Sequence, residues 1–261
     1  MGYMGGGILL ALNLAFYIFS EDLGVPGDLA VRINLASAGV WWLGFAFITW
    51  GRLRPRHAAR QLPAGESYAT IGFKQLRKTI GEVKHFPETL KFLLAYSLYN
   101  DGIQTVIAVA ATFAAAPLIQ GGLELEQTTL TAVILMIQFV AFFGALFWGK
   151  LAGWIGAKQS VVVSLVIWAG VVIYAYGGLK GPTATAQFFV LGVFIALVMG
   201  GSQAISRSLF AQMIPNGKEA EFFSFYEISE RGTSWIGPLV FGLANQMFGN
   251  LRIAILSLIF F

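Results

Sequence analysis

The sequence predicts an all-α fold, a polytopic membrane helix bundle, and three observations carry that prediction. The first is composition. Of 261 residues, 57% are hydrophobic and 11% charged, against about 45–50% and about 25% in an average soluble domain. So few charges cannot cover a water-facing surface, and lipid is the simplest alternative. The second is the recurrence of apolar runs near the ~20 residues that cross a hydrocarbon core. The third is the segregation of Lys and Arg into alternate connections. Mean hydropathy is +0.71. Gly, at 31 residues, suits helices that pack backbone to backbone.

The runs follow in order. The first is Tyr3–Phe19, and a loop with Glu21, Asp22 and Asp28 follows it. The second, Ile33–Trp50, ends in an interfacial Trp. A long polar stretch then runs from Gly51 to Pro87. Beyond it come Leu90–Ala115, Leu130–Trp148, Ser160–Tyr176 and Ala186–Phe210. The seventh run, Phe222–Met247, is less apolar and rich in small residues. The eighth opens at Leu251 and reaches Phe261, about half a span. The expected organisation is two spans in 1–50, a central loop in 51–89 and a helical half in 90–261, its last helix cut short.

Charge orients the spans. The central stretch carries Arg52, Arg54, Arg56, Arg60, Lys74, Arg77, Lys78 and Lys84, which makes it cytoplasmic by the positive-inside rule. Alternation then puts the N-terminus inside, with the Lys150–Lys158 and Lys218 loops, and the Glu124–Glu126 loop outside. Within the central stretch Phe73, Leu76, Ile80 and Val83 form one helical stripe flanked by bases. That pattern fits an amphipathic helix on an anionic leaflet or a solvated linker helix. The start, Met-Gly-Tyr-Met-Gly, has no basic region or cleavage site of a secretory signal.

Polar groups inside a span are costly and mark a path, a cavity or a helix contact. The third run holds Tyr96, Tyr99, Asn100, Asp101 and Gln104, the last three at offsets that share a helix face. Asp101 there either lines a path, meeting a cation, a proton or an amine, or locks two helices. The sixth run ends in Gln203, Ser206 and Arg207 at i, i+3 and i+4. Arg207 either pairs with a substrate carboxylate or braces a neighbouring helix. The seventh holds Glu227, Glu230 and Arg231, with Glu227–Arg231 in the favourable i,i+4 order. One carboxylate is left over, to be met by Arg207 or by a proton. Gln138 stands alone in the fourth run, where a helix–helix hydrogen bond is the simpler reading. Ala141 with Ala145, and Gly149 with Gly153, have the spacing of packing contacts.

Catalytic chemistry finds no support. There is no Cys, and both His57 and His85 lie in the central stretch. No HExxH, phosphate-binding glycine loop or intramembrane Asp pair is present. No metal, cofactor or nucleic-acid partner is expected, and the net charge of +4 follows membrane topology. The expected partners are the bilayer and a small solute.

Four strings carry a family resemblance: LLAYSLYNDGIQTVIAVAA, QFVAFFGALFWGKLAGWIGAK, LVMGGSQAISRSLFAQMIP and the segment from Glu219 to Leu258. They resemble the vacuole effluxer-like permeases, a branch of the major facilitator superfamily that includes autophagy-related vacuolar amino-acid effluxers and bacterial relatives. The resemblance implies two six-helix halves around a midplane path. The first two runs correspond to helices five and six, and the rest to the C-terminal half. It further implies a secondary active transporter of small solutes, amino-acid efflux with proton coupling among the options, in a bacterial cell membrane. Tyr99, Asn100, Asp101, Gln104 and Gln138 would line the path. Gln203, Ser206, Arg207, Glu227, Glu230 and Arg231 would form a gate or charge network. A non-transporting scaffold descended from a transporter is the alternative. One departure stands out: Gly153 occupies the place where the superfamily loop GxLaDrxGrk carries its Asp, so that gating contact lacks its carboxylate here.

Overall fold

The computed structural model describes residues 2–53, 67, 74, 81, 85–215 and 217–261. The apolar stripe Phe73, Leu76, Ile80 and Val83 lies outside them. The chain divides into two compact units, Met1–Gly72 and Phe73–Phe261.

The first unit is a helical hairpin of α1 (Gly2–Ile18) and α2 (Gly27–Arg52). The turn closes through Val25 N to Ser20 O at 2.8 Å, with Gly24 at φ 71°. Two amides tie the helices. Asn34 Nδ2 donates to Asn13 O at 3.0 Å and Asn13 Nδ2 to Asn34 O at 3.4 Å, while Ser37 Oγ donates to Asn13 Oδ1 at 3.0 Å. Such bonds hold membrane helices together at about 0.6–2 kcal/mol each, because hydrocarbon offers no competing partner.

In the second unit the regular elements among the described residues are all helices. It comprises α3 (Pro87–Ala115), α4 (Gln127–Ile155), α5 (Ala157–Gly177), α6 (Ala184–Gln212), α7 (Glu219–Gly232), α8 (Ile236–Phe248) and α9 (Leu251–Leu256), which continues as a 3₁₀ turn over Ser257–Phe260. Local chemistry sets the boundaries. α3 opens with Pro87 at its first turn, where no N–H is needed, and with Glu88 matching the helix dipole. The Lys91 ammonium, 2.7 Å away, holds the exposed Glu88 carboxyl below the usual range. α3 ends where Ala116 is forced extended ahead of Pro117. Among the described residues, four helices are long and apolar enough to cross a membrane, namely α2, α4, α5 and α6. α1 and the Leu251–Phe260 segment are shorter apolar helices.

The fourth run does not stop at Trp148 as the sequence suggested. α4 continues for 29 residues to Ile155, roughly 44 Å at the α-helical rise. Only Gly156, at φ 85°, separates it from α5. Gly149 and Gly153 lie within the helix and face open space, so the packing role expected of them is not there. The close approach is made instead between α4 and α6. A Cβ on Gly144 would sit 2.6 Å from Leu197 O, and one on Gly200 2.5 Å from Ala141 O. Gly201 lies against the Trp148 ring, and Trp148 Nε1 donates to Leu197 O at 2.9 Å. Small residues thus let two backbones meet, which is the main source of attraction between helices in lipid.

At the other end of α5, Arg252 donates from one guanidinium to Leu179 O at 2.7 Å, Tyr176 O at 3.3 Å and Ala175 O at 3.5 Å, with Phe113 beneath it at 5.7 Å. A cation there satisfies carbonyls that the helix end leaves unpaired and suits the helix dipole.

The α4–α6 contact predicts a contrast between two glycines. Gly200→Ala places a methyl on a backbone carbonyl and should lower stability in detergent by about 1–3 kcal/mol. Gly149→Ala meets open space and should stay within about 0.5 kcal/mol of the parent. Unfolding midpoints of the two variants, measured side by side, check this.

Candidate functional site

The seventh run, expected as one span over Phe222–Met247, is two helices. α7 stops at Gly232 and α8 starts at Ile236. The cause is local. Thr233 Oγ1 folds back to Ser229 O at 2.9 Å, and Ser234 Oγ to Arg231 O at 2.8 Å. Trp235 Nε1 takes Gly232 O at 3.0 Å. Side chains thereby replace the next helical donors. Pro238, with no N–H, cannot complete the ladder back to Ser234.

The new helix start has donors to satisfy. Ile236 N donates to Thr233 O at 2.9 Å. Gly237 N donates to Asp101 Oδ2 of α3 at 2.6 Å. Pro238 has none to offer, and Leu239 N resumes the helix by donating to Trp235 O at 3.1 Å. A buried carboxylate on one helix therefore caps another. Asp101 is 1% exposed, and its second oxygen, Oδ1, has no partner among the described residues. The neighbours of Asp101 on the same α3 stripe face the same break. Thr233 Oγ1 lies 3.2 Å from Ser97 O as well, its one hydrogen shared between the two carbonyls, and Gly237 packs so closely on Thr105 Oγ1 that a Cβ has no room.

One turn away lies an aromatic nest. Tyr96, Phe210, Phe222 and Tyr226 are buried together with Leu93. Tyr96 stacks on Tyr226 at 4.3 Å between centroids and meets Tyr99 edge-on at 5.4 Å. Its hydroxyl donates to Glu230 Oε2 at 2.9 Å. Ser206 Oγ donates to Ser202 O at 2.6 Å, so the 2.7 Å contact between Tyr99 and Ser206 has Tyr99 as donor.

On the rim of the nest sits the charge network. Arg207 Nη2 and Glu227 Oε1 are 2.7 Å apart, and Arg231 Nε lies 3.5 Å from Glu227 Oε2. The Arg207 guanidinium also lies 5.9 Å from the Phe223 ring centre and 5.8 Å from that of Tyr226. These side chains are open, with Arg207 58% and Arg231 82% exposed. Glu227 takes both arginines, and Glu230 takes a tyrosine.

Of the residues singled out in the sequence, the structure joins Tyr99 with Ser206, and Arg207 with Glu227 and Arg231. Asp101 is engaged by Gly237. Asn100 is buried, while Gln104, Gln138 and Gln203 are half-buried on α3, α4 and α6. Tyr99 also borders a cavity of ≈ 200 Å³ beside Trp168, whose Nε1 is buried without a partner among the described residues. Tyr226, Thr233 and Gly237 escaped the sequence reading. The run Gly-Thr-Ser-Trp-Ile-Gly-Pro at 232–238 is a helix-break signal that would have found the last two.

The family model described as vacuole effluxer Atg22 like matches residues 1–261. Autophagy-related protein 22-1 of Aspergillus niger is 31% identical over 280 residues, which cover 99% of this chain and 43% of the relative. Autophagy-related protein 22 of Yarrowia lipolytica is 29% identical, covering 97% and 45%. An uncharacterized MFS-type transporter of Bacillus subtilis, YxiO, is 28% identical, covering 99% and 58%. The chain thus spans about half the length of the curated relatives it matches. No solved structure matches. With an all-helical fold, several apolar helices and a family match along its whole length, the chain is an integral multi-pass membrane protein that belongs to the vacuole effluxer Atg22-like family.

Proposed function

We propose that this chain is the part of a secondary active transporter that carries most of one helical half, and that the whole protein moves small solutes by alternating access. One observation carries the reading. Arg207, near the end of the long apolar helix α6, forms an open charge network with Glu227 and Arg231 of α7. A charge turned to hydrocarbon at a helix centre costs about 2.5–3.5 kcal/mol. The face that holds this network is therefore read as facing water and a second half rather than lipid. The description of the family, vacuole effluxer Atg22 like, and the name of one relative, an MFS-type transporter, support the same reading.

In this reading Arg207, Glu227 and Arg231, with Gln203 and Ser206, form the gate. Tyr99, Asn100, Gln104 and Gln138 contribute polar groups to the path. The solutes are amino acids, exported with the help of a proton gradient. Glu230 is the proposed proton site, because it faces a tyrosine hydroxyl and no cation among the described residues. The membrane is that of a bacterial cell, with the N-terminus and the central basic stretch on the cytoplasmic side, in line with the positions of Lys and Arg.

The test is flux of labelled leucine and other neutral amino acids through liposomes carrying the longer protein that contains this chain. Flux above protein-free vesicles, responsive to an imposed pH gradient, is expected. Folded protein that moves none of them overturns the amino-acid reading. Arg207→Gln should cut flux about tenfold by leaving Glu227 under-paired. The swap Arg207→Glu with Glu227→Arg should recover much of it. Glu230→Gln should leave solute binding in place and remove the response to the pH gradient.

A further inference from the structure

The two helices of the interrupted span are attached to their surroundings in different ways. α8 is fastened at its first turn by a backbone donor. Gly237 N–H meets a carboxylate oxygen of α3 at 2.6 Å, both partners are buried, and Gly237 has no room for a Cβ against Thr105. α7 is held by side chains alone: Phe222 and Tyr226 are buried against Leu93, Tyr96 and Phe210, and the polar contacts run between side chains. Tyr96 reaches Glu230, and Arg207 reaches Glu227 through a largely open pair. Between them, residues 233–235 make their bonds mostly to α7 itself.

We propose that Asp101 is a positioning residue. It clamps the start of α8 to α3, so that α7, with Glu227, Glu230 and Arg231, reorients about residues 233–235 while α8 stays with α3. The geometry favours this over a carrier role for Asp101. One oxygen of the carboxylate is committed to a donor that has no other acceptor, because the helix ladder begins only at Leu239. The element facing Asp101 supplies a backbone N–H and a glycine, not a titratable group. The bond needs an acceptor oxygen and not a charge. An amide keeps that oxygen and puts its NH₂ where Oδ1 now stands without a partner.

The mobility assigned to α7 rests on the transporter reading; the clamp does not. Two readouts separate them, both in the longer protein. Hydrogen exchange at the Gly237 amide should accelerate about tenfold or more in Asp101→Ala and stay within about threefold of the parent in Asp101→Asn. Unchanged exchange in Asp101→Ala overturns the clamp, and so does equal acceleration in both variants. In leucine-loaded liposomes Asp101→Asn should keep at least half the flux and the same pH profile, while Asp101→Ala loses both rate and Gly237 protection. An Asp101→Asn protein that protects Gly237 yet no longer responds to the pH gradient makes Asp101 a cation carrier and overturns the positioning role. If the parent itself moves no leucine, the transport reading fails, and the exchange measurement still decides the clamp.

Discussion

Backbone donors and acceptors in apolar surroundings must find partners, because hydrocarbon supplies none. An uninterrupted helix meets this demand by itself, and its ends and breaks do not. In this chain the groups left at the break and at one helix end are taken up by side chains from other helices: Asp101 takes the Gly237 N–H, and Arg252 takes three carbonyls near the end of α5. Trp148 adds a bond to Leu197 O, and Asn13 and Asn34 add bonds to each other's carbonyls, all within helices. Each of these bonds fixes one helix against another. The signs are also right: a carboxylate lies at a helix start and a guanidinium at a helix end.

The second unit is consequently uneven in how firmly its parts are joined. Between α4 and α6 the attachment is backbone on backbone, through Gly144, Gly200 and Gly201, with Trp148 closing the gap. Nothing there can move without opening a close-packed contact. Around α7 the attachment is through side chains, with Phe222 and Tyr226 buried in the aromatic nest and the ion pairs on its rim open. Open pairs are individually weak, about 0–1 kcal/mol in water, and exchange partners readily. Glu227 already shares itself between Arg207 and Arg231.

Length, apolarity and alternation made most helices legible before any coordinates, because a span is a local property that each run carries in itself. The i,i+4 order of Glu227 and Arg231 was visible for the same reason. Pairing between helices was not. Asp101 stood out as costly, but its partner is a glycine amide 136 residues later, and an amide leaves no mark in a hydropathy pattern. Asn13 and Asn34 give no sign of each other in the sequence, because each looks isolated until the hairpin closes. The break in the seventh run was missed because apolar residues on both sides mask it, although Thr233 and Ser234, whose hydroxyls bond back to α7 carbonyls, and Pro238, which has no N–H, together interrupt the ladder.

The two acids nearest the break differ in the partner that faces them. Gly237 N–H can only donate, so it accepts one arrangement, an oxygen lone pair held at 2.6 Å. The Tyr96 hydroxyl can donate or accept, and it can turn. It therefore serves Glu230 equally well as a carboxylate or as an acid, without any helix having to move. A backbone donor that cannot turn or reverse its role suits a fixed joint, and a hydroxyl that can do both suits an exchangeable proton. That difference in hydrogen-bond capacity, more than depth in the membrane, is what assigns the proposed clamp to Asp101 and the proposed proton site to Glu230.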